Sequence, residues 1–251
     1  LVGSLHVGMQ AAKTLALAYH KPFIGVHHIA GHIYANELVE DIEYPCLCLV
    51  VSGGHSELVY MKSEFSFEVI GQTLDDAIGE AYDKAGRVLH LPYPGGPVID
   101  KMAASGQHTY DLPLPLNDDS YNFSFSGLKS AVINLCHNAA QRGEDIVPAD
   151  LACSFQEVAL DVLVSKTIKA AKDYQVKEII VAGGVSANRG LRKKLTADSP
   201  IKVLFPPMAY CTDNAAMIAS AARVMYEHQQ FSSLDLSVKP SYDLEEESIG
   251  E

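Results

Sequence analysis

The chain has no paired-cysteine motif, no membrane-length apolar run and no excess of basic residues. Its five cysteines, Cys46, Cys48, Cys136, Cys153 and Cys211, are odd in number and include no CxxC pair. That argues against a disulfide framework and against a zinc knuckle. Cys46 and Cys48 share one face of an expected strand, so buried free thiols are the better reading. A reducing, cytoplasmic setting fits them. The apolar runs stop well short of a membrane span, and the chain reads as soluble. No signal-peptide pattern opens it. No initiator Met opens it either; Leu1-Val2-Gly3-Ser4 reads as the interior of a longer sequence from which an N-terminal segment is missing. Basic residues number 19 against 31 acidic ones, giving a net charge of −12. An acidic protein gains little from phosphate-backbone attraction. A nucleic-acid partner would need a local basic patch or a companion protein.

What is present is a large apolar fraction, 48% of 251 residues, enough to build one large domain or two modest ones. There is no tandem repeat and no heptad array. Helices are expected over Leu5–Tyr19, His28–Val39, Leu74–Leu89, Ser126–Ala140, Pro148–Tyr174, from Ala187, and over Thr212–Glu227 with Thr212 as N-cap. Strands are expected over Pro22–Val26, Cys46–Ser52, His55–Met61, Glu178–Ala182 and Ile201–Phe205. Cys46–Ser52 is almost continuously apolar, as in a strand buried on both faces. Gly106–Asn122 reads as a polar surface excursion, and the acidic stretch from Phe231 onward as loose. Strands alternating with helices, plus one hairpin, indicate an α/β class.

Two histidines and a distant aspartate carry the clearest chemical signal. His28 and His32 are one helical turn apart in HHIAGH, so their imidazoles leave the same side of a helix. Asp213 lies far downstream in CTDNAAMIA. Two imidazoles and one carboxylate can form a facial metal site with open positions; alternatively the histidines are a surface pair and Asp213 is a helix cap.

Glycine pairs follow two strands, in VSGGHS (Val51–Ser56) and AGGVSANR (Ala182–Arg189). Such junctions bring bare backbone N–H groups up to a phosphate or ribose, and they serve equally as tight turns. Asn188 could meet a purine edge, with Ser186 as a cap in the structural alternative. In DDAIGEAYDKAGRVL, Asp76, Glu80 and Asp83 fall on one side of the expected helix, as a solvated acidic face or as ribose acceptors. Gly79 inside that helix costs about 1 kcal/mol against Ala, so something packs closely against it. YPGGP (Tyr93–Pro97) is a rigid loop with a bare centre, and Asp100 sits one turn beyond Gly96. SFSGLK (Ser124–Lys129) reads as a helix start or a partner surface.

Together, HHIAGH, VSGGHS, DDAIGEAYDKAGRVL, YPGGP, SFSGLK, AGGVSANR and CTDNAAMIA resemble, in order and over nearly the whole chain, the tRNA N6-adenosine threonylcarbamoyltransferases of the TsaD type, once called O-sialoglycoprotein endopeptidases. The resemblance implies an actin-like ATPase fold of two related α/β lobes, here with the first lobe incomplete. It divides the chain into residues 1–44 (the rest of the N-terminal lobe, with the metal-binding helix), 45–210 (the nucleotide-binding C-terminal lobe) and 211–251 (a return helix and tail). It implies metal ligands His28, His32 and Asp213, holding Fe2+ or Zn2+. Val50, Val51, Ser52, Gly53 and Gly54 would form the adenylate segment; Asp83, Gly96 and Asp100 would meet the ribose region and Asn188 the adenine. The donor would be threonylcarbamoyl-AMP and the acceptor the N6 of the adenosine beside the anticodon, in tRNAs reading codons that begin with A. An inactive paralogue (TsaB) and a small ATPase (TsaE) would be partners. The family's opening strand and acidic turn are absent, and the ending is less basic than usual.

The alternatives differ in class. A zinc protease of the HExxH type needs Glu beside its first histidine as base; that position is Ile29. A sugar kinase or simple ATPase of the same fold gives the histidine pair no work. An inactive scaffold has no reason to keep all three ligands. No general base is evident.

Overall fold

The Cys46–Val51 strand (β1) lies fully buried at the centre of a five-stranded sheet. The computed structural model describes residues 2–249; Leu1, Gly250 and Glu251, and the readings that touch them, lie outside the described residues. β1 turns through Gly53-Gly54 into Ser56–Met61 (β2), and Glu68–Gln72 (β3) adds an antiparallel edge. On the other side β1 pairs in parallel with Glu178–Ala182 (β4), which pairs in parallel with Lys202–Leu204 (β5). The order is β3-β2-β1-β4-β5.

Successive side chains of a strand face opposite ways, and the sheet uses both faces. Leu47, Leu49, Val51, Ile179 and Val181 enter one core. They meet helices α3 (Ile78–Val88), α4 (Gly95–Ala103), α5 (Ser126–Arg142), α6 (Pro148–Asp173) and α7 (Arg189–Asp198) there. Cys46, Cys48, Val50, Ile180 and Ala182 enter the second core, against α2 (His28–Tyr34) and α8 (Ala215–Glu227). Helices on both faces explain why β1 is apolar throughout rather than alternating. All five cysteines are free, and burial pushes the Cys48 thiol up. No helix among the described residues is long and apolar enough to cross a membrane.

Several expectations are corrected. Pro22–Val26 forms no strand; it makes one isolated bridge, Phe23 to Ser232. β3 was not foreseen, because an edge strand half open to solvent shows no clean alternation. The third helix starts at Ile78, not Leu74, because Leu74 N–H donates instead to Phe123 O and Thr73 Oγ1 to Asp76 O. The last helix starts at Ala215, capped by Asn214, whose side chain accepts from Met217 N, rather than by Thr212. Asn188, not Ser186, caps α7. The histidine helix ends at Tyr34 and tightens into a 3-10 turn over Ala35–Leu38. The acidic tail is docked: Ser232 N donates to Phe23 O, Ile249 N to Phe65 O, and Leu244 is buried. Helix α1 (Val2–Ala18) buries only Ala16.

Candidate active site

His28 and His32 stand on α2 with ring centroids 4.7 Å apart. Asp213, just before α8, reaches both: its Oδ1 lies 3.4 Å from His28 Nε2 and 3.2 Å from His32 Nε2. Helices α2 and α8 pack side by side in the second core, and that packing brings the two ends of the chain together. Among the described residues this is the cluster of metal-ligating side chains whose donor atoms lie within 4.8 Å of one another. Two ligands each about 2.1 Å from one ion stand roughly 3.0–3.4 Å apart at octahedral to tetrahedral angles, which matches the observed spacings. Burial holds His32 below the usual histidine range, with the neighbouring His28 adding to the effect. A neutral imidazole offers its lone pair to a cation, so the donor set fits a divalent metal. His32 Nδ1 is buried without a hydrogen-bond partner. His28 and Asp213 are open, with side chains 53% and 78% exposed, so the face of the site is free to take a further ligand.

The two glycine elbows stand together. Val50 is opposite Ala182 in the parallel β1–β4 pair, so VSGG and AGG leave adjacent strands at their C-terminal ends. Ligands of open α/β sheets bind outside the carboxyl ends of strands. Gly183 has φ +89°, and a Cβ there would lie 2.4 Å from Val51 O. What packs against Gly79 is the first elbow: a Cβ there would lie 2.5 Å from Ser52 O and 2.9 Å from Gly53 Cα. Ser52 Oγ folds back to accept from Gly54 N (3.2 Å) and His55 N (3.0 Å). His55, just past the elbow, lines one cavity with His27 and Ile29 at the start of α2, so the elbow lies beside the helix that carries the histidine pair.

The remaining predicted residues are distributed unevenly. Val50 and Val51 have no exposed surface, so only their backbone can take part. Asp83 Oδ1 accepts from Gly95 N (2.7 Å) and so fixes the start of α4, which includes Gly96. Asp100 accepts from Arg189 N and Gly190 N, both at 3.1 Å, at the start of α7. Asn188 is 9% exposed, and its Oδ1 accepts from Leu191 N at 2.7 Å. Asp76 and Glu80 instead share Lys84 (2.5 and 2.8 Å). Sequence reasoning missed Arg192, which donates from Nε to Ser186 O and from Nη2 to Pro206 O, tying the second elbow to the segment that leads to Asp213. It also missed the role of Asp75. That carboxylate accepts from Ser126 Oγ (2.6 Å) and Phe125 N (2.8 Å), and so holds the SFSG turn.

Burial works to raise the Asp75 pKa, but the Ser124 and Ser126 hydroxyls and two backbone N–H groups outweigh it and hold the carboxyl below its usual range. A folded-state pKa below the unfolded one, about 3.9, means a contribution present above that value and lost as pH falls through the folded one. Asp75→Asn should therefore melt below wild type at pH 7, and the gap should close as thermal melts are carried down through pH 4 to pH 2.

Comparisons with known proteins give the family and the fold. The family model described as TsaD, tRNA N6-adenosine threonylcarbamoyltransferase, matches residues 1–220. The tRNA N6-adenosine threonylcarbamoyltransferase of Bacillus subtilis is 58% identical over 249 residues, covering 97% of this chain and 72% of the relative. That of Halalkalibacterium halodurans is 56% identical, covering 98% of this chain and 73% of the relative. The chain belongs to the TsaD family of tRNA N6-adenosine threonylcarbamoyltransferases. Among solved structures, full-length HypF in its phosphate- and nucleotide-bound form matches with TM-score 0.63 at 13% identity, covering 84% of this chain and 37% of HypF. T. kodakarensis HypF matches with TM-score 0.60 at 14% identity, covering 86% of this chain and 39% of that one. At that identity the likeness concerns the fold alone, which is the actin-like ATPase fold. A TsaD-family chain is a transferase acting on tRNA, and nothing in the site favours a protease: Ile29, a buried apolar side chain, stands where a base would be needed.

Proposed function

We propose that this chain transfers the threonylcarbamoyl group of threonylcarbamoyl-AMP to the N6 of the adenosine beside the anticodon, in tRNAs reading codons that begin with A, with one divalent metal held by His28, His32 and Asp213. The observation that carries the reading is the meeting of those three side chains, from opposite ends of the chain, at a helix whose start shares a cavity with His55, just past the Gly53-Gly54 elbow. Fe2+ is the metal we favour, with Zn2+ as the other candidate for a nitrogen and oxygen donor set. When bound, it would supply a Lewis-acidic open position for the threonyl part of the donor.

The chain's own residues do the positioning. The leaving group is AMP, already a good one, so binding and orientation carry most of the task. Backbone N–H groups of Gly53, Gly54 and Gly184 would face the adenylate phosphate; Ser52 Oγ, which now satisfies Gly54 N–H, would give way to a phosphate oxygen. Val50 and Val51 set the elbow by anchoring its strand. Asp83 and Asp100, with Gly96, would border the ribose, and Asn188 the adenine. In this reading residues 1–44 and 211–251 form one lobe and 45–210 the other. The net charge of −12 points to a composite tRNA surface completed by a TsaB-like paralogue and a TsaE-like ATPase, in the cytoplasm where tRNA is modified.

The test is reconstitution with unmodified tRNA, threonylcarbamoyl-AMP and those partners, read by mass spectrometry of the digested tRNA. The modified nucleoside is the expected product. Its absence with wild-type chain, while a full-length relative succeeds in the same mixture, would remove the assignment for this chain.

A further inference from the structure

Gln156 stands on α6 with 7% of its surface exposed, between the buried Phe155 and Val158. It is the hub of a polar network that joins four helices. Its Nε2 donates to Asp100 Oδ1 on α4 at 3.3 Å. Its Oε1 accepts from Asn188 Nδ2, at the start of α7, at 3.0 Å, and from Tyr82 OH on α3 at 3.1 Å. Asn188 Nδ2 also donates to Tyr82 Oη at 3.4 Å.

The donors and acceptors run in one direction. Ionised Asp100 can only accept, so the Gln156 amide must turn its nitrogen toward it. Its oxygen then faces Asn188 and Tyr82. Burial raises the Tyr82 pKa, with Asp100 adding to it, so the phenol stays a donor. Asn188 therefore spends both amide hydrogens inside the protein. Its Oδ1 gives one lone pair to Leu191 N and keeps one. Asp100 Oδ2 accepts from Arg189 N and also keeps one lone pair. Both residues are left with acceptor capacity only. The seat of Gln156 is built into the backbone: a Cβ at Gly190 would lie 2.5 Å from Gln156 Nε2.

We propose that Gln156 is a positioning residue that makes the nucleoside site an acceptor surface, selecting a purine that bears an exocyclic amine and a ribose that donates its hydroxyls. The inference rests on the reading of Asn188 and Asp100 as nucleoside contacts and names what sets their specificity. A purine with a carbonyl at that position would place acceptor against acceptor, which a site built for a donor rejects strongly.

The probes are AMP and inosine monophosphate, titrated calorimetrically against the full chain. Wild type should bind AMP at least about tenfold more tightly, a difference of about 1.4 kcal/mol. Gln156→Met frees the Asn188 amide and should bring the two ligands within about threefold. Gln156→Glu gives a second readout. The groups facing position 156 are Tyr82 from α3, Asp100 from α4, and Asn188 and backbone N–H groups from α7. Asp100 is the charged one, and two carboxylates in contact share a proton as pH falls. That proton replaces the lost amide N–H, so AMP affinity of Gln156→Glu relative to wild type should recover between pH 8 and pH 5.5. A folded Gln156→Met that keeps wild-type discrimination, while Asn188→Ala loses it, overturns this inference alone. Wild type that fails to discriminate removes the nucleoside reading and the inference with it. A Gln156→Glu affinity ratio flat with pH also counts against the hub.

Discussion

His28→Ala and Asp213→Ala are expected to cost more than about a hundredfold in transfer while leaving the fold intact. Losing an outer-shell partner of a metal typically costs 10–100-fold in affinity or activity, and these residues are the ligands themselves. Both side chains are largely open to solvent, and neither supports a core. Surface truncations of that kind change stability by about 0.5 kcal/mol or less, roughly 1–2 °C in a chain of this size. Thermal melts should therefore overlay wild type, while modified nucleoside, measured by mass spectrometry, drops below a hundredth. His32→Ala is the poorer variant because His32 is buried and its removal mixes packing with ligation. Equal activity in His28→Ala and wild type would show that the histidine pair has no part in the reaction.

The second large effect separates two kinds of glycine at the elbows. Gly183→Ala meets both a left-handed backbone (φ +89°) and the Val51 carbonyl at 2.4 Å. A non-glycine residue in such a conformation costs about 1–3 kcal/mol before any clash. The carbonyl belongs to the central strand and cannot move away freely. The expected loss is about 3 kcal/mol, or roughly 6–12 °C in melting temperature. Gly53 and Gly184 differ: an added Cβ meets nothing within 4 Å, and neither has a left-handed φ. Gly53→Ala and Gly184→Ala should melt close to wild type. If their N–H groups face the donor's phosphate, transfer should still fall, by about tenfold or more, through a raised KM for the donor. Full activity in both would mean that these elbows are turns only, and that the phosphate lies elsewhere.

How much of this was legible in the sequence follows from what each feature depends on. β1 and β4 were readable because burial on both faces leaves long apolar runs with glycine pairs at their ends. α6 was readable because 26 residues of helical sequence begin at Pro148. The metal cluster was readable in part: i and i+4 spacing puts two imidazoles on one side, but only the packing of α8 on α2 delivers Asp213. β3 was hidden by its half-exposed edge position. The early starts assigned to α3 and α8 erred for one reason: Thr73, Asp75 and Asn214 divert nearby backbone groups into side-chain and cross-loop hydrogen bonds, which no period in the sequence reveals. The tail looked loose because it is acidic, yet Leu244 and Ile249 tie it to the second core. Helix α1 is the opposite case. A helix was expected over Leu5–Tyr19 and one forms, yet Val7, Leu15 and Leu17 on it are exposed. Gln156 was overlooked because one glutamine among the several polar residues of α6 carries no motif; only its three partners give it meaning.

The proposed transfer depends on a cation gathered by His28, His32 and Asp213. Crystals of the chain, purified without chelators and measured at the iron and zinc absorption edges, test it most directly. A single anomalous peak within about 2.0–2.3 Å of His28 Nε2, His32 Nε2 and an Asp213 carboxylate oxygen is the predicted result. An ion bound at full occupancy elsewhere on the chain, with these three side chains keeping only their mutual contacts, would contradict it.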